Sequence, residues 1–325
     1  FKKVTIPSSI TKIEDNAFYN CISLKEIEIP ESVVEIEQSA FYGCKSIKHF
    51  RIPPGVTEIT PHCFSMCSSL IQIDIHERLN KVGEDAFSGC SLLKQIEIPD
   101  SITTLSKQVF SNCSSFTKLK IPESISLIEE SAFYGCKSLK QLIIPSSVTR
   151  ILSHAFEDCS SLKIIRLPSD LKELLSFAFK NCKSIKQIEI PSSITTIGES
   201  TFSGCKSITQ VIIPKAVTKI MSHAFEGCKS LKTIELPSNL NEIQFHAFQN
   251  CDSLEQIEIP PLITSIEDST FNGCLSLKQI SIPSSITKIG KEAFKKCESL
   301  EDICIPSLVT SIDSSAFSWC KSLTK

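Results

Sequence analysis

The sequence predicts an α/β repeat solenoid of about 14 coils, each of 23 residues, with parallel strands and short helical turns. Three observations predict it. Phe recurs from Phe18 to Phe317 at every twenty-third position without slippage. A Cys follows each of these Phe residues three positions later, from Cys21 to Cys320. Each copy reads close to I-P-S-S-I-T-x-I-x-x-x-A-F-x-G/N-C-x-S-L-K-x-I-x, and the stretch from Ile6 to Glu28 follows it throughout. One coil cannot bury its own apolar side, whereas stacked coils line a continuous core with columns of Ile, Leu, Phe and Cys.

The elements follow in order along one coil. From Leu24 through Ile27 to Ile29 the residues end in apolar–polar alternation, the mark of a short strand with one buried face. Pro30 stops that strand because it cannot donate to a ladder. A polar pair follows, Ser8-Ser9 or Ser146-Ser147 in typical coils and Glu31-Ser32 in the second. Ile10 or Val33 then leads into a second extended piece that ends at Ile13 or Ile36. The Ala17-Phe18 pair is placed in a helical turn, closed by Asn20 or Gly43, which tolerate the left-handed region. With strands ~4.8 Å apart, fourteen coils span roughly 65 Å before curvature.

Composition excludes several classes. Lys and Arg number 34 against 36 Asp and Glu, a net charge of -2, so no basic excess points to nucleic acid. Hydrophobic residues make up 41% of the chain, yet no apolar run approaches the ~18 to 20 residues of a membrane span. The chain opens at Phe1-Lys2-Lys3-Val4 and ends at Ser322-Leu323-Thr324-Lys325, both inside a repeat. Residues 1–325 are accordingly expected to form a single repeat domain within a longer protein.

The pattern L-x-x-I-x-I-P-x-x-I-x-x-I-x-x-x-A-F-x-x-C is carried in one coil by Leu139, Leu142, Ile144, Pro145, Val148, Ile151, Ala155, Phe156 and Cys159. It closely resembles the 23-residue leucine-rich repeats of BspA-like surface proteins, and the resemblance covers the whole chain. His76 departs from it at the Pro position, Phe116 at the Leu position, and Cys63, Val109, Thr201 and Thr270 at the Ala position. The resemblance implies a curved leucine-rich-repeat stack with its sheet on the concave face. It also implies a microbial cell-surface or extracellular protein that adheres to host matrix, host cells or other microbes. A cytoplasmic scaffold for protein assembly is the alternative, and self-association is left open. The repeat dictates the scaffold; the variable positions choose the ligand.

The recurring chemistry reads mostly as core. Zinc sites want paired Cys or His converging from close spacings such as C-x-x-C, and no C-x-x-C occurs, so the Cys column reads as a reduced, buried ladder. Cys63 takes a small-residue position in the core. Cys304 falls on an outward strand position and is the candidate reactive thiol. His62, His154, His223 and His246 each precede a ladder Phe by two residues. His223 and His246 are in adjacent coils within metal-bridging reach, but with no third ligand in their column they read as a solvated pair, and no metal or other cofactor is assigned. The sequon Asn112-Cys113-Ser114 contains a ladder Cys and reads as coincidence. No catalytic set departs from the repeat, so an enzyme is not expected.

Binding is expected where outward strand residues break their columns. Positions equivalent to Glu26 are mostly Gln, those equivalent to Glu28 are mixed, and those equivalent to Lys25 are mostly Lys. Midway along the chain this solvating pattern gives way to Ile143, Ile164 and Ile212, with Arg166, Gln141 and Gln187 beside them. An outward apolar patch flanked by Arg and Gln is the composition of an interaction hot spot. Tyr19, Tyr42, Tyr134 and Trp319, on the turn side, form a second candidate contact edge.

Overall fold

A 23-residue period sets equivalent residues side by side, and the backbone hydrogen bonds show how closely the chain keeps to it. In the computed structural model, which describes residues 2–324, every pairing between strands is parallel and offset by one repeat: Lys3 faces Glu26, His49 faces Gln72, and Gln187 faces Gln210. The chain divides into two compact units, Phe1–Leu162 and Lys163–Lys325, and each is built in the same way.

Two strand columns run through each unit. The outer column consists of three-residue strands such as Glu26–Glu28 and Gln72–Asp74 in the first unit, and Gln187–Glu189 and Gln256–Glu258 in the second. Only their middle residue turns inward, as alternation demands. The inner column consists of two-residue strands such as Lys12–Ile13 and Lys219–Ile220, where the predicted second extended piece lies. Pro30 and its equivalents end the outer strand as expected, and their carbonyls accept from the residue three positions on, as in Val33 N to Pro30 O at 3.1 Å.

The expected helical turn around Ala17-Phe18 does not form, and no helix occurs among the described residues. The reason is where the amide hydrogens go. Ala17, Tyr19 and Cys21 donate three residues back within the coil, to Glu14, Asn16 and Phe18. Asn16, Phe18 and Asn20 instead donate to the next coil, at Gln38, Ala40 and Tyr42. The second unit repeats this, with Phe202 N reaching Ala224 O at 2.9 Å and Cys205 N reaching Phe202 O at 3.1 Å. A helix needs every amide for its own ladder; here half of them stitch coil to coil. Two residues per coil take positive φ to allow it. One is the predicted position (Asn20 at 54°, Gly43 at 67°), and the other precedes each Phe by two (Asn16 at 57°, His223 at 59°). The coil count is also corrected: the fourteen ladder positions from Phe18 to Phe317 bound thirteen complete turns rather than about 14, because a repeat copy marks an edge and a turn needs two.

The core is a stack of rings. Phe41 lies on Phe64 with centroids 5.6 Å apart and planes 3° apart, and Phe202 lies on Phe225 at 5.6 Å and 13°. Phe116, in place of a Leu, meets Phe110 edge-on, and the adjoining Phe110–Phe133 stack opens to 25°. Beside the rings, column thiols donate to the Phe carbonyl 26 residues back, as in Cys67 Sγ to Phe41 O and Cys205 Sγ to Phe179 O, both at 3.1 Å. All sixteen Cys are free thiols. Burial pushes the Cys205 thiol up to about 12, so it stays protonated and can donate. Thr201 and Thr270, at the Ala position, satisfy their buried hydroxyls on Gly198 O and Glu267 O.

Candidate functional site

Alternation along the three-residue strands decides which side chains a partner can reach. In Ile164–Arg166 the middle Ile165 is buried while Ile164 is 54% exposed, and in Gln210–Ile212 the middle Val211 is buried while Ile212 is 52% exposed. Ile143, at the end of Gln141–Ile143, is 64% exposed. An Ile spends about 2 kcal/mol when left in water rather than buried, so three such residues at solvating positions are a departure that packing does not require.

The second unit gathers part of the predicted set into one place. Ile164, Arg166, Gln187 and Ile212 line an open depression of 950 Å3, together with Lys163, Lys186, Glu189 and Gln210. The strands beneath it are in register, Gln187 facing Gln210 and Glu189 facing Ile212. Its rim carries three cations, Lys163, Arg166 and Lys186, against the single carboxylate of Glu189. Ile143 and Gln141 belong to the first unit, where Gln141 pairs with Lys118 and both predicted residues face outward. This surface can offer apolar contact, amide hydrogen bonds and positive charge.

The remaining predicted features fall elsewhere. Cys304 is exposed, and the other off-column thiol, Cys63, is buried. On the turn edge Tyr19 lies flat on Tyr42, with centroids 4.7 Å apart, and Trp319 stands out into solvent. Burial, followed by nearby Asp158 and Glu157, pushes the Tyr134 hydroxyl above its ordinary value. Among the described residues, no three His, Cys, Asp or Glu side chains group as a metal centre.

The sequence pairs His223 with His246 but leaves out the side chains that hold them. The His223 and His246 rings stack at 4.7 Å and 5°, and Phe245 meets each edge-on at 5.6 Å. Each ring is held from its own coil: His223 Nδ1 lies 2.8 Å from Glu226 Oε2, and His246 Nδ1 lies 2.6 Å from Gln249 Oε1. Comparing residues down one column could not find those partners, which sit three residues along the chain. Phe245 itself was findable, because its column otherwise holds residues such as Asp15, Glu84, Ser222 and Asp268.

Comparison with known proteins places the architecture. Residues 1–117, 85–209 and 195–324 each match the family described as BspA type leucine rich repeat region. A leucine-rich repeat protein of Bacteroides ovatus is similar in structure, with a TM-score of 0.80 and 30% identity over 92% of this chain and 85% of that one. A leucine rich cell surface protein of Faecalibacterium prausnitzii gives 0.60 and 32% over 100% and 86%. The pneumococcal vaccine antigen PcpA shares the fold at 0.52 and 22% identity over 95% and 73%. No curated protein matches the chain.

Proposed function

The chain belongs to the BspA-type leucine-rich-repeat family, and from that premise we propose that it is the protein-binding, adhesive part of a microbial cell-surface protein. The observation that carries this reading is the run of outward Ile residues on the strand face, with Ile164 and Ile212 lining a depression rimmed by Lys163, Arg166 and Lys186. Such a surface suits a protein partner that presents apolar side chains beside carboxylates: a host matrix protein, a host-cell protein or a surface protein of another microbe. The relation to a structure named as a cell surface protein supports the location.

A second reading, an internal scaffold for protein assembly, is favoured by sixteen unbridged thiols, which suit a reducing compartment. One experiment separates the two. Intact cells are shaved with protease and labelled with antibody to this region. Labelling of intact cells that shaving removes supports the adhesive reading, and labelling only after permeabilisation sinks it. Binding is tested with Ile143→Glu and Ile164→Glu, which are expected to weaken a verified partner at least tenfold while the folded spectrum is kept. Unchanged affinity removes the outward Ile residues from the site.

A further inference from the structure

The outer strand face is not the only place where the second unit breaks its own columns. Along the inner strands, carboxylates are met by lysines of the neighbouring coil: Lys81 meets Glu58 at 2.6 Å, Lys219 meets Glu242 at 2.9 Å and Lys288 meets Asp313 at 3.0 Å. Glu267 departs from this. Among the described residues it has no ion pair, and only the Ser265 hydroxyl donates to it. Phe245 is the second departure, a ring 46% exposed in a column that elsewhere holds Ser222 and Asp268. The two border one open pocket of 490 Å3, together with Asn241, Glu242, Gln244 and the buried Ile263. Among the described residues, no Lys, Arg or His lines it. Lys219 neutralises Glu242, which leaves the charge of Glu267 unanswered.

The Phe245 ring is also held ready. Its centroid lies 5.6 Å from both His223 and His246, whose own centroids are 4.7 Å apart, and its plane is at 89° and 87° to theirs. Phe245 therefore stands beside the imidazole stack and keeps at least one face clear of both rings. We propose that this pocket is a second docking site, and that its occupant is an arginine side chain on a basic segment of another protein. A guanidinium is a planar fork that bonds a carboxylate at two points and stacks on an aromatic face. Glu267 and Phe245 thus engage different parts of one group, and the Asn241 side-chain oxygen can accept a further N–H. The methylene stem covers apolar lining such as Ile263. Lysine carries the charge but not the fork or the plane, and it holds its water more tightly. The pocket is built from the inner strands Glu242–Ile243 and Ser265–Ile266 and the turns after them, not from the outer strands. The strand-face depression, with its cationic rim, selects the opposite charge.

The test titrates three short peptides into the full chain at low salt, followed by ligand-observed nuclear magnetic resonance. They are identical but for one central residue: arginine, lysine, or citrulline, which keeps the shape of arginine without its charge. The arginine peptide should bind with a Kd on the order of 1 mM, about fivefold tighter than the lysine peptide, and the citrulline peptide should not bind. Glu267→Gln and Phe245→Ser should each weaken the arginine peptide about fivefold. Neither side chain is in the core, so the melting temperature should stay near its starting value. Equal binding of the three peptides overturns the proposal. So does the absence of arginine-peptide binding at about 10 mM, or binding that survives the double Glu267→Gln, Phe245→Ser variant.

Discussion

The second unit contains two depressions built on the same plan, and they differ in character. One is lined by Ile164, Arg166, Gln187, Glu189, Gln210 and Ile212. Three repeats on, the equivalent positions are Thr233, Glu235, Gln256, Glu258, Gln279 and Ser281, and they line a depression of 730 Å3 against 950 Å3 for the first. Gln187, Glu189 and Gln210 are conserved in kind between the two; the change is Ile to Thr, Arg to Glu and Ile to Ser. The strands beneath keep one register, Gln187 facing Gln210 in one case and Gln256 facing Gln279 in the other. With Lys186 replaced by Glu255 as well, these side chains turn an apolar, cationic surface into a polar, anionic one while the paired strands keep one register. Scaffold and recognition are separable in this molecule because alternation sends them to opposite faces of the strand.

If that is so, damage beneath the two depressions should be indifferent to what lies above. Phe202 and Phe271 are fully buried members of the ring column, with neighbours at 5.9 and 5.6 Å for Phe202 and at 5.7 and 5.5 Å for Phe271. Phe202→Ala and Phe271→Ala should each cost about 3–5 kcal/mol, read as a drop in denaturant midpoint, and should match within about 1 kcal/mol. A large inequality would mean that the two regions differ in packing as well as surface, and the comparison would fail.

The surface half of the comparison is sharper still. Ile212→Glu should cost about 2 kcal/mol of partner affinity, the scale of a hot-spot residue. Ser281→Glu, in the same column three coils away, should cost nothing measurable. The converse is stricter: Thr233→Ile, Glu235→Arg and Ser281→Ile together should create a second binding site and raise the partner stoichiometry from one to two. A triple variant that stays at one would show that recognition draws on more than these outward positions.

The thiol column supplies a test that both regions should answer alike. Burial raises the Cys205 thiol to about 12 from 9, and Cys274 is raised well above 9 for the same reason. A thiol that must stay neutral when folded but ionises when unfolded contributes its full stability below pH 9. That contribution is lost as pH rises towards 12, by about 1.4 kcal/mol per pH unit for each group. Melting temperature should therefore fall steeply above pH 9, and Cys205→Ala and Cys274→Ala should each flatten that fall to the same degree. Absence of any alkaline slope would mean the column is not a set of buried neutral donors.

How much of this was legible beforehand divides along the same line. The ladder Phe and Cys residues, the inward Ile of each strand and the Pro stop were readable, because burial repeats with the period and chance cannot imitate it. The helical reading of the turn failed for a reason outside a single coil: whether Phe18 N–H pairs within its coil or with Ala40 O depends on the neighbour. The left-handed position two before each Phe did leave a trace, since Asn16, Ser39, His62 and Asp85 are types that tolerate positive φ. Exposure at Ile143, Ile164 and Ile212 was legible from the strand alternation alone. The His223–Glu226 contact was not, because it arises where the turn brings i and i+3 together, a spacing that column-by-column reading skips.

The smallest effect should come from the rim charge, and it probes why the first depression is cationic at all. Arg166 is exposed, so its attraction for a carboxylate on a partner is weakened by water and screened within about 8–10 Å at ordinary ionic strength. Its influence should fall on the encounter more than on the finished complex. Arg166→Ala should slow association a few-fold at low salt, with dissociation nearly unchanged, and the difference from the parent chain should vanish by about 0.5 M salt. Arg166→Glu, which copies the residue found at position 235, should slow association further at low salt. If dissociation rather than association changes, Arg166 is a buried anchor in the complex. The charge difference between the two depressions would then belong to the contact and not to the approach.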